Sequence, residues 1–150
     1  MREWLRFVRL PNAPTAMADV FAGAACQGLP LWSPAVVVTA VGSGALYAGG
    51  IALNDVFDYR KDVQVHPDRA LPRGVIRIST ARMTGLLLLL IGALTGSASG
   101  PSGTLLAVAL AAGIFVYDVL PERAGWIAAA VLGACRGMNL ARGLACAAEF

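Results

Sequence analysis

The sequence predicts an all-α fold, a polytopic membrane helical bundle of about five transmembrane helices, and three observations predict it. Of the 150 residues, 57% are hydrophobic and only 14% charged, where a soluble domain carries roughly 25% charge. Too little charge is left to coat a water-facing surface. Two stretches, 20–54 and 83–117, contain no charged residue at all. All twelve basic residues fall in four places: Arg2, Arg6 and Arg9; the segment from Arg60 to Arg82; Arg123; and Arg136 with Arg142.

Each uncharged stretch is 35 residues long, too long for one span of about 20 residues and close to two short ones. Each carries turn signals near its middle, Gly28-Leu29-Pro30 with Pro34 in the first and Ser97-Ala98-Ser99-Gly100-Pro101 in the second. Each therefore reads as a helical hairpin, and the two are alike in length and turn placement. The expected spans are about 14–31, 34–54, 80–96, 102–118 and 125–147. The Arg/Lys bias puts the N-terminus and the loops 55–82 and 119–124 on the cytoplasmic side of a multi-pass cell-membrane protein. Trp4, Trp32, Trp126, Tyr59 and Tyr117 fall near span ends, where amphipathic rings sit at the interface.

Other classes fit less well. The net charge of +3 is clustered by topology, which argues against nucleic acid as a partner. Cys26, Cys135 and Cys146 lie in apolar runs and read as small packing residues, not as a disulfide framework or, with the single His66, a zinc site. A cleaved leader is disfavoured because Asp19 interrupts the first apolar run.

The chemistry concentrates in 54–62, Asn54-Asp55-Val56-Phe57-Asp58-Tyr59-Arg60-Lys61-Asp62. Asp55, Asp58 and Asp62 stand at i, i+3 and i+7, so a continuing helix carries all three carboxylates on one face. Like charges so placed repel unless something positive sits among them. Hard oxygens at this density suit Mg2+, which keeps waters and bridges to substrate phosphates. Arg60, Lys61, Arg69, Arg73 and Arg77 follow, with donors for a polyanion. A plain solvated loop with topology-setting arginines accounts for Arg77 and Arg82, but not for three aligned acids at the mouth of a span.

The Asn-Asp-x-x-Asp-x-x-x-Asp motif, followed by His66-Pro67-Asp68-Arg69-Ala70-Leu71-Pro72-Arg73-Gly74, resembles the first aspartate-rich motif and loop of UbiA-type intramembrane prenyltransferases. Arg9-Leu10-Pro11-Asn12 is similar to that family's approach to its first helix. The resemblance implies a bundle of roughly nine spans around a lipid-facing cavity. It implies Mg2+-dependent transfer of an isoprenyl group from a prenyl diphosphate to a hydrophobic, often aromatic, acceptor within the bilayer. It assigns Asp55, Asp58 and Asp62 to catalysis as Mg2+ ligands, Asn12 and Asn54 to the diphosphate pocket, and Arg69 to phosphate. Tyr117 matches a family tyrosine near the end of the fourth span. The lysine that follows it in the family has only Arg123 to stand in for it here, and Ala70 and Arg73 replace a usual Pro and Ser.

By that resemblance residues 1–150 correspond to the N-terminal part of a UbiA-like domain. The second acid motif expected in a later loop is missing, so the 150-residue chain is expected to be inactive alone. A truncated product, a fragment completed by a second polypeptide and a decayed gene all stay open. Two other functions compete: an intramembrane alcohol phosphotransferase, whose Asp-Gly and Ala-Arg pattern is not found at 55–82, and a non-enzymatic transporter or scaffold with an ion on the acids.

Within the spans, Asp19, Arg136, Asn139 and Arg142 are costly in lipid and should face a cavity or a partner, although Arg142 could also snorkel to an interface. Arg136, Asn139 and Arg142 share a helix face. Gly92-x-x-x-Gly96 and Gly133-x-x-x-Gly137 read as close helix contacts.

Overall fold

The structure, a computed structural model, describes residues 2–120 and 125–146, and no strand occurs among them. A short helix α1 (Arg2–Phe7) and a 3-10 turn (Leu10–Asn12) lead into α2 (Ala13–Cys26), α3 (Pro34–Phe57) and α4 (Tyr59–Val65). Then come α5 (Ile78–Leu94), a second 3-10 turn (Thr95–Ser99), α6 (Gly100–Val119) and α7 (Gly125–Ala145). The five long helices occupy the five expected segments, with shifted ends. α2 stops at Cys26 because Gly28 takes a φ of 67° and the Leu29 N–H turns back to the Ala24 carbonyl at 3.1 Å. α3 starts where Ser33 Oγ accepts from the Val36 N–H at 3.4 Å ahead of Pro34. It runs on to Phe57, which carries Asn54 and Asp55 inside the helix.

α3 is the central helix, packed against α2, α5, α6 and α7. Leu46 and Leu53 on α3 meet Leu89, Leu110 and Cys135 in the main core. Small residues let backbones approach: a Cβ added to Gly49 would lie 2.9 Å from the Gly85 carbonyl across the α3–α5 contact. Gly92 and Gly96 are close contacts as expected, the first against Leu46 and the Gly42 carbonyl, the second against Ala107. Gly133 and Gly137 differ, since nothing lies within 4 Å of where their Cβ atoms would be. They sit on the exposed side of α7, so this part of the chain offers them no neighbour.

By length and composition two segments can cross a membrane: Pro34–Phe57, whose most apolar 18-residue window has a mean hydropathy of 1.8, and the 42-residue Ile78–Val119, whose window has 1.7. Only 17% of the second segment's most apolar window is buried within the structure. A soluble protein's core helix would be covered, whereas here Leu87, Leu90, Ile91, Leu94 and Leu105 point outward. That outward apolar surface is what lipid solvates.

Arg142 does not snorkel. It is fully buried, with Nη2 donating to Thr95 Oγ1 at 3.2 Å and to the Gly92 carbonyl at 3.5 Å. The 3-10 turn after α5 leaves these acceptors available there. Beside it Thr39, Ser99 and Cys146 form a buried chain, with Thr39 Oγ1 and Ser99 Oγ 2.6 Å apart. Cys135 and Cys146 are buried as expected for packing residues, whereas Cys26, the last residue of α2, is exposed.

Candidate functional site

Asp58 is the one residue between α3 and α4, yet the helical ladder runs through it. Its N–H bonds the Asn54 carbonyl at 2.9 Å, and its own carbonyl accepts from Lys61 and Asp62 at 3.0 and 2.9 Å. The three aspartates therefore stay near one face, though their environments differ. Asp62 is 2% exposed and Asp55 7%, while Asp58 is half-buried. Arg69 lies between the two buried acids, with Nη1 2.6 Å from Asp62 Oδ2 and 3.8 Å from Asp55 Oδ1. Asp58 Oδ2 instead accepts from Asn54 Nδ2 at 2.9 Å.

Local packing puts Arg69 there. The 66–77 loop is pinned by Leu71 and Ile76, which bury with Phe7, Ala52 and Ala81 in a small core. Gly74, at φ 70°, makes the turn that lets both reach it. Burial alone would lower the Arg69 pKa, but the hydrogen bond to Asp62 and the charges of Asp62, Asp55 and Asp58 outweigh it and hold the pKa above the ordinary value. Arg69 thus stays a cation throughout the useful pH range. Arg60, Arg73 and Arg77 are exposed.

A residue without an assigned role in the sequence reading joins the site. Arg9 adopts the left-handed conformation, φ 47° and ψ 44°, uncommon for a side chain this size. Its Nη2 lies 3.8 Å from Asp55 Oδ1. Asn12 is exposed beside Arg6 and Arg9 in a surface depression apart from the cavity between the long helices.

That cavity, of about 230 Å3, lies among α2, α3, α6 and α7. Its walls are mostly apolar, Leu46, Ile51, Leu110 and Ile114 among them. Asn54, Tyr117 and Asp118 line it too, and Asn54 is the residue bonded to Asp58. Asp118 lies close enough to Asp58 for the two charges to interact, and its Oδ2 is buried without a hydrogen-bond partner. Sequence reasoning gave it no role; the signal was an acid directly after Tyr117, closing an uncharged span. Thr15, Asp19, Ser43, Tyr47, Arg136 and Asn139 also contribute polar atoms to the lining. Arg136 Nη2 meets Asp19 Oδ1 at 2.6 Å and Asn139 Nδ2 donates to the Ala16 carbonyl at 2.7 Å. The charges expected to be costly within a span thus face a cavity and, for Asp19 and Arg136, each other. Arg123 falls outside the described residues.

An all-helical chain with a lipid-type surface, an apolar cavity and an acid–arginine cluster next to its wall defines a class: helical membrane proteins with a charged site at the wall of an apolar cavity. The chain belongs to the UbiA prenyltransferase family, whose model matches residues 13–149. It is 37% identical over 101 residues to a digeranylgeranylglyceryl phosphate synthase of Ignicoccus hospitalis, covering 67% of this chain and 33% of that one. The Metallosphaera sedula protein of the same name is 28% identical, with 93% of this chain and 50% of the relative covered. A solved structure described by that same name superposes with a TM-score of 0.85 at 21% identity, over 95% of this chain and 51% of the other. That likeness establishes the fold. The chain spans between a third and a half of the length of these curated relatives.

Family membership raises the question of Mg2+. Among the described residues no three His, Cys, Asp or Glu side chains converge to hold a metal, because Arg69 separates Asp55 from Asp62 and Asp58 turns to Asn54. A cage of three protein carboxylates therefore does not fit this arrangement. A Mg2+ that takes one or two carboxylates and fills its shell with diphosphate oxygens and water does fit. Asp55 Oδ1 is buried with no hydrogen-bond partner, and although Arg9 and Arg69 each stand 3.8 Å from it, its lone pairs remain open to a metal.

Proposed function

We propose that this chain takes part in Mg2+-dependent transfer of an isoprenyl group from a prenyl diphosphate to a hydrophobic acceptor within a membrane. The observation that carries the reading is the adjacency of the acid–arginine cluster to the apolar cavity, linked through Asn54. In this reading one or two of Asp55, Asp58 and Asp62 would hold Mg2+, and Arg69 and Arg9 hold diphosphate oxygens. Asn12 flanks Arg9 at the approach, Asn54 orients Asp58, and Tyr117 borders the reacting end of the cavity. Arg123, six positions after Tyr117 in the sequence, stands in for the family's lysine as a further substrate contact. When bound, Mg2+ neutralises charge that develops on the diphosphate as its allylic carbon–oxygen bond breaks. The cationic side chains stabilise the same charge. The apolar walls exclude water from the carbocation and accept its tail.

Because Arg69 already neutralises Asp55 and Asp62, Mg2+ alone should bind weakly and bind better with diphosphate present. Titration of the purified chain with farnesyl thiodiphosphate should show Mg2+-dependent binding, and Asp58→Ala should abolish that dependence. Unchanged Mg2+-dependent binding in Asp58→Ala sinks the metal role.

The same reading sets five spans across the cell membrane, with the 55–82 loop cytoplasmic and the turns at 28–34 and 97–103 on the other face. In a cysteine-free background, Gln64→Cys should react with an impermeant maleimide only from the cytoplasmic side. Reaction from the outside alone overturns this topology.

A further inference from the structure

Two segments far apart in the sequence meet at one end of the bundle. Phe7 on α1 buries with Leu71 and Ile76 of the 66–77 loop and with Ala81 on α5, so the outward sides of these three elements adjoin. The charge there is one-sided. Residues 2–10 and 71–83 hold six arginines, Arg2, Arg6, Arg9, Arg73, Arg77 and Arg82, against one carboxylate, Glu3, with Asp68 three positions upstream of the second segment. All six arginines are exposed. The ion pairs in reach are long: Arg9 stands 3.8 Å from Asp55, and Arg6 stands 4.0 Å from Glu3 with its side chain 78% exposed. Large apolar side chains lie open among the arginines, namely Leu5, Leu10, Val75 and Met83. Arg82 also stands one helical turn before Leu86 on α5, and the outward row continues through Leu90 and Leu94.

We propose that this arginine-rich rim is a docking surface for anionic phospholipid, with the headgroup phosphate on Arg6, Arg77 and Arg82 and the acyl chains along Leu86, Leu90 and Leu94. Guanidinium groups present forked donors that match phosphate oxygens. Clusters of four or more basic residues beside a span attract anionic lipid. A soluble polyanion would use the arginines and leave Leu5, Leu10, Val75 and Met83 in water, whereas a membrane surface uses both, as at other interfacial segments with mixed basic and apolar faces. The continuity of Arg82 with the outward leucine row sets the order of the contacts, phosphate first and hydrocarbon after it. None of these residues lines the cavity. The surface is therefore separate from the proposed transfer site, and the proposal stands whether or not the chain transfers a prenyl group.

Lipid retention by the purified full chain tests this without requiring turnover. The chain in detergent is offered an equimolar mixture of palmitoyl-oleoyl phosphatidylglycerol and palmitoyl-oleoyl phosphatidylcholine, which share their acyl chains, and bound lipid is counted by native mass spectrometry. The anionic lipid should be retained at least about tenfold over the zwitterionic one, since each arginine near an anionic surface contributes about fivefold. The triple variant Arg6→Gln, Arg77→Gln, Arg82→Gln should bring the two lipids to within about twofold of each other while melting with the parent, because all three side chains are exposed. The matching triple lysine variant changes the same positions and keeps the charge, so it should keep most of the preference, which separates lost charge from a folding defect. Millimolar inorganic phosphate should not displace the bound lipid, because it lacks the chains that the leucine row holds. Equal retention of the two lipids by the parent overturns the proposal, as does an unchanged preference in the glutamine variant or its loss in the lysine variant. Displacement by inorganic phosphate would assign the arginines to a small anion and overturn it too. Loss of Mg2+-dependent diphosphate binding in Asp58→Ala reads the transferase proposal separately, so either can fail without the other.

Discussion

Replacing Arg69 with alanine is expected to destabilise the chain by about 2–3 kcal/mol and to remove diphosphate binding. The guanidinium lies 2.6 Å from a carboxylate that is 4% exposed and 3.8 Å from one that is 10% exposed. Deleting one partner of a buried pair leaves an uncompensated charge, at a typical cost of about 3–5 kcal/mol. Arg69 itself is 33% exposed, so solvent screening brings the effect down to about 2–3 kcal/mol, at or just below the lower end of that range. Differential scanning fluorimetry in detergent should show the loss. Arg73→Ala, on the exposed part of the same loop, should stay within about 0.5 kcal/mol of the parent. A second readout separates charge from packing. With Arg69 gone, Asp55 and Asp62 lose their competitor for a cation, so Mg2+ should restabilise Arg69→Ala more than the parent. Equal melting of Arg69→Ala and the parent in the absence of Mg2+ would falsify the buried pair.

How much of this could be read from the sequence depends on whether a feature is local. The long helices follow from two charge-free stretches with glycine, proline and serine at their centres, because span length and turn chemistry act over short distances. The spacing of Asp55, Asp58 and Asp62 was legible for the same reason, as a helical repeat. Arg69 was found through its motif, although the spacing alone could not show that it separates two of the three acids. Arg9 and Asp118 were missed as site residues because their roles depend on which helix lies beside which. Arg9 reaches Asp55 through an unusual left-handed backbone. Asp118 counts only once α6 packs beside α3. The cavity's polar group is less local still, since Asp19 and Arg136 are separated by 117 positions. Helix periodicity shows that Arg136 and Asn139 share a face, and nothing in it says what that face meets. Gly133 and Gly137 carry the same small-residue spacing as Gly92 and Gly96, yet only the second pair touches a neighbour among the described residues.

Gly143→Leu is expected to produce the largest loss of stability among the packing variants, about 3 kcal/mol. α2 and α7 meet almost backbone to backbone: a Cβ on Gly143 would overlap the Val20 carbonyl oxygen and lie 2.9 Å from Val20 C and 3.0 Å from Ala24 N. Gly23, on the facing helix, is equally constrained by Leu140, Gly143 and Leu144. Overpacking typically costs about 1–3 kcal/mol when side chains can shift, and here the obstructing atoms are main chain. The helices must separate. Because Ala16, Asp19 and Val20 line up on α2 opposite Arg136, Asn139 and Gly143 on α7, separation also pulls apart the polar group of the cavity. Thermal melting should fall sharply. Gly133→Leu supplies the control, since a side chain there enters open space. It should melt with the parent. A Gly143→Leu chain that melts with Gly133→Leu would show that α2 and α7 do not touch in this way.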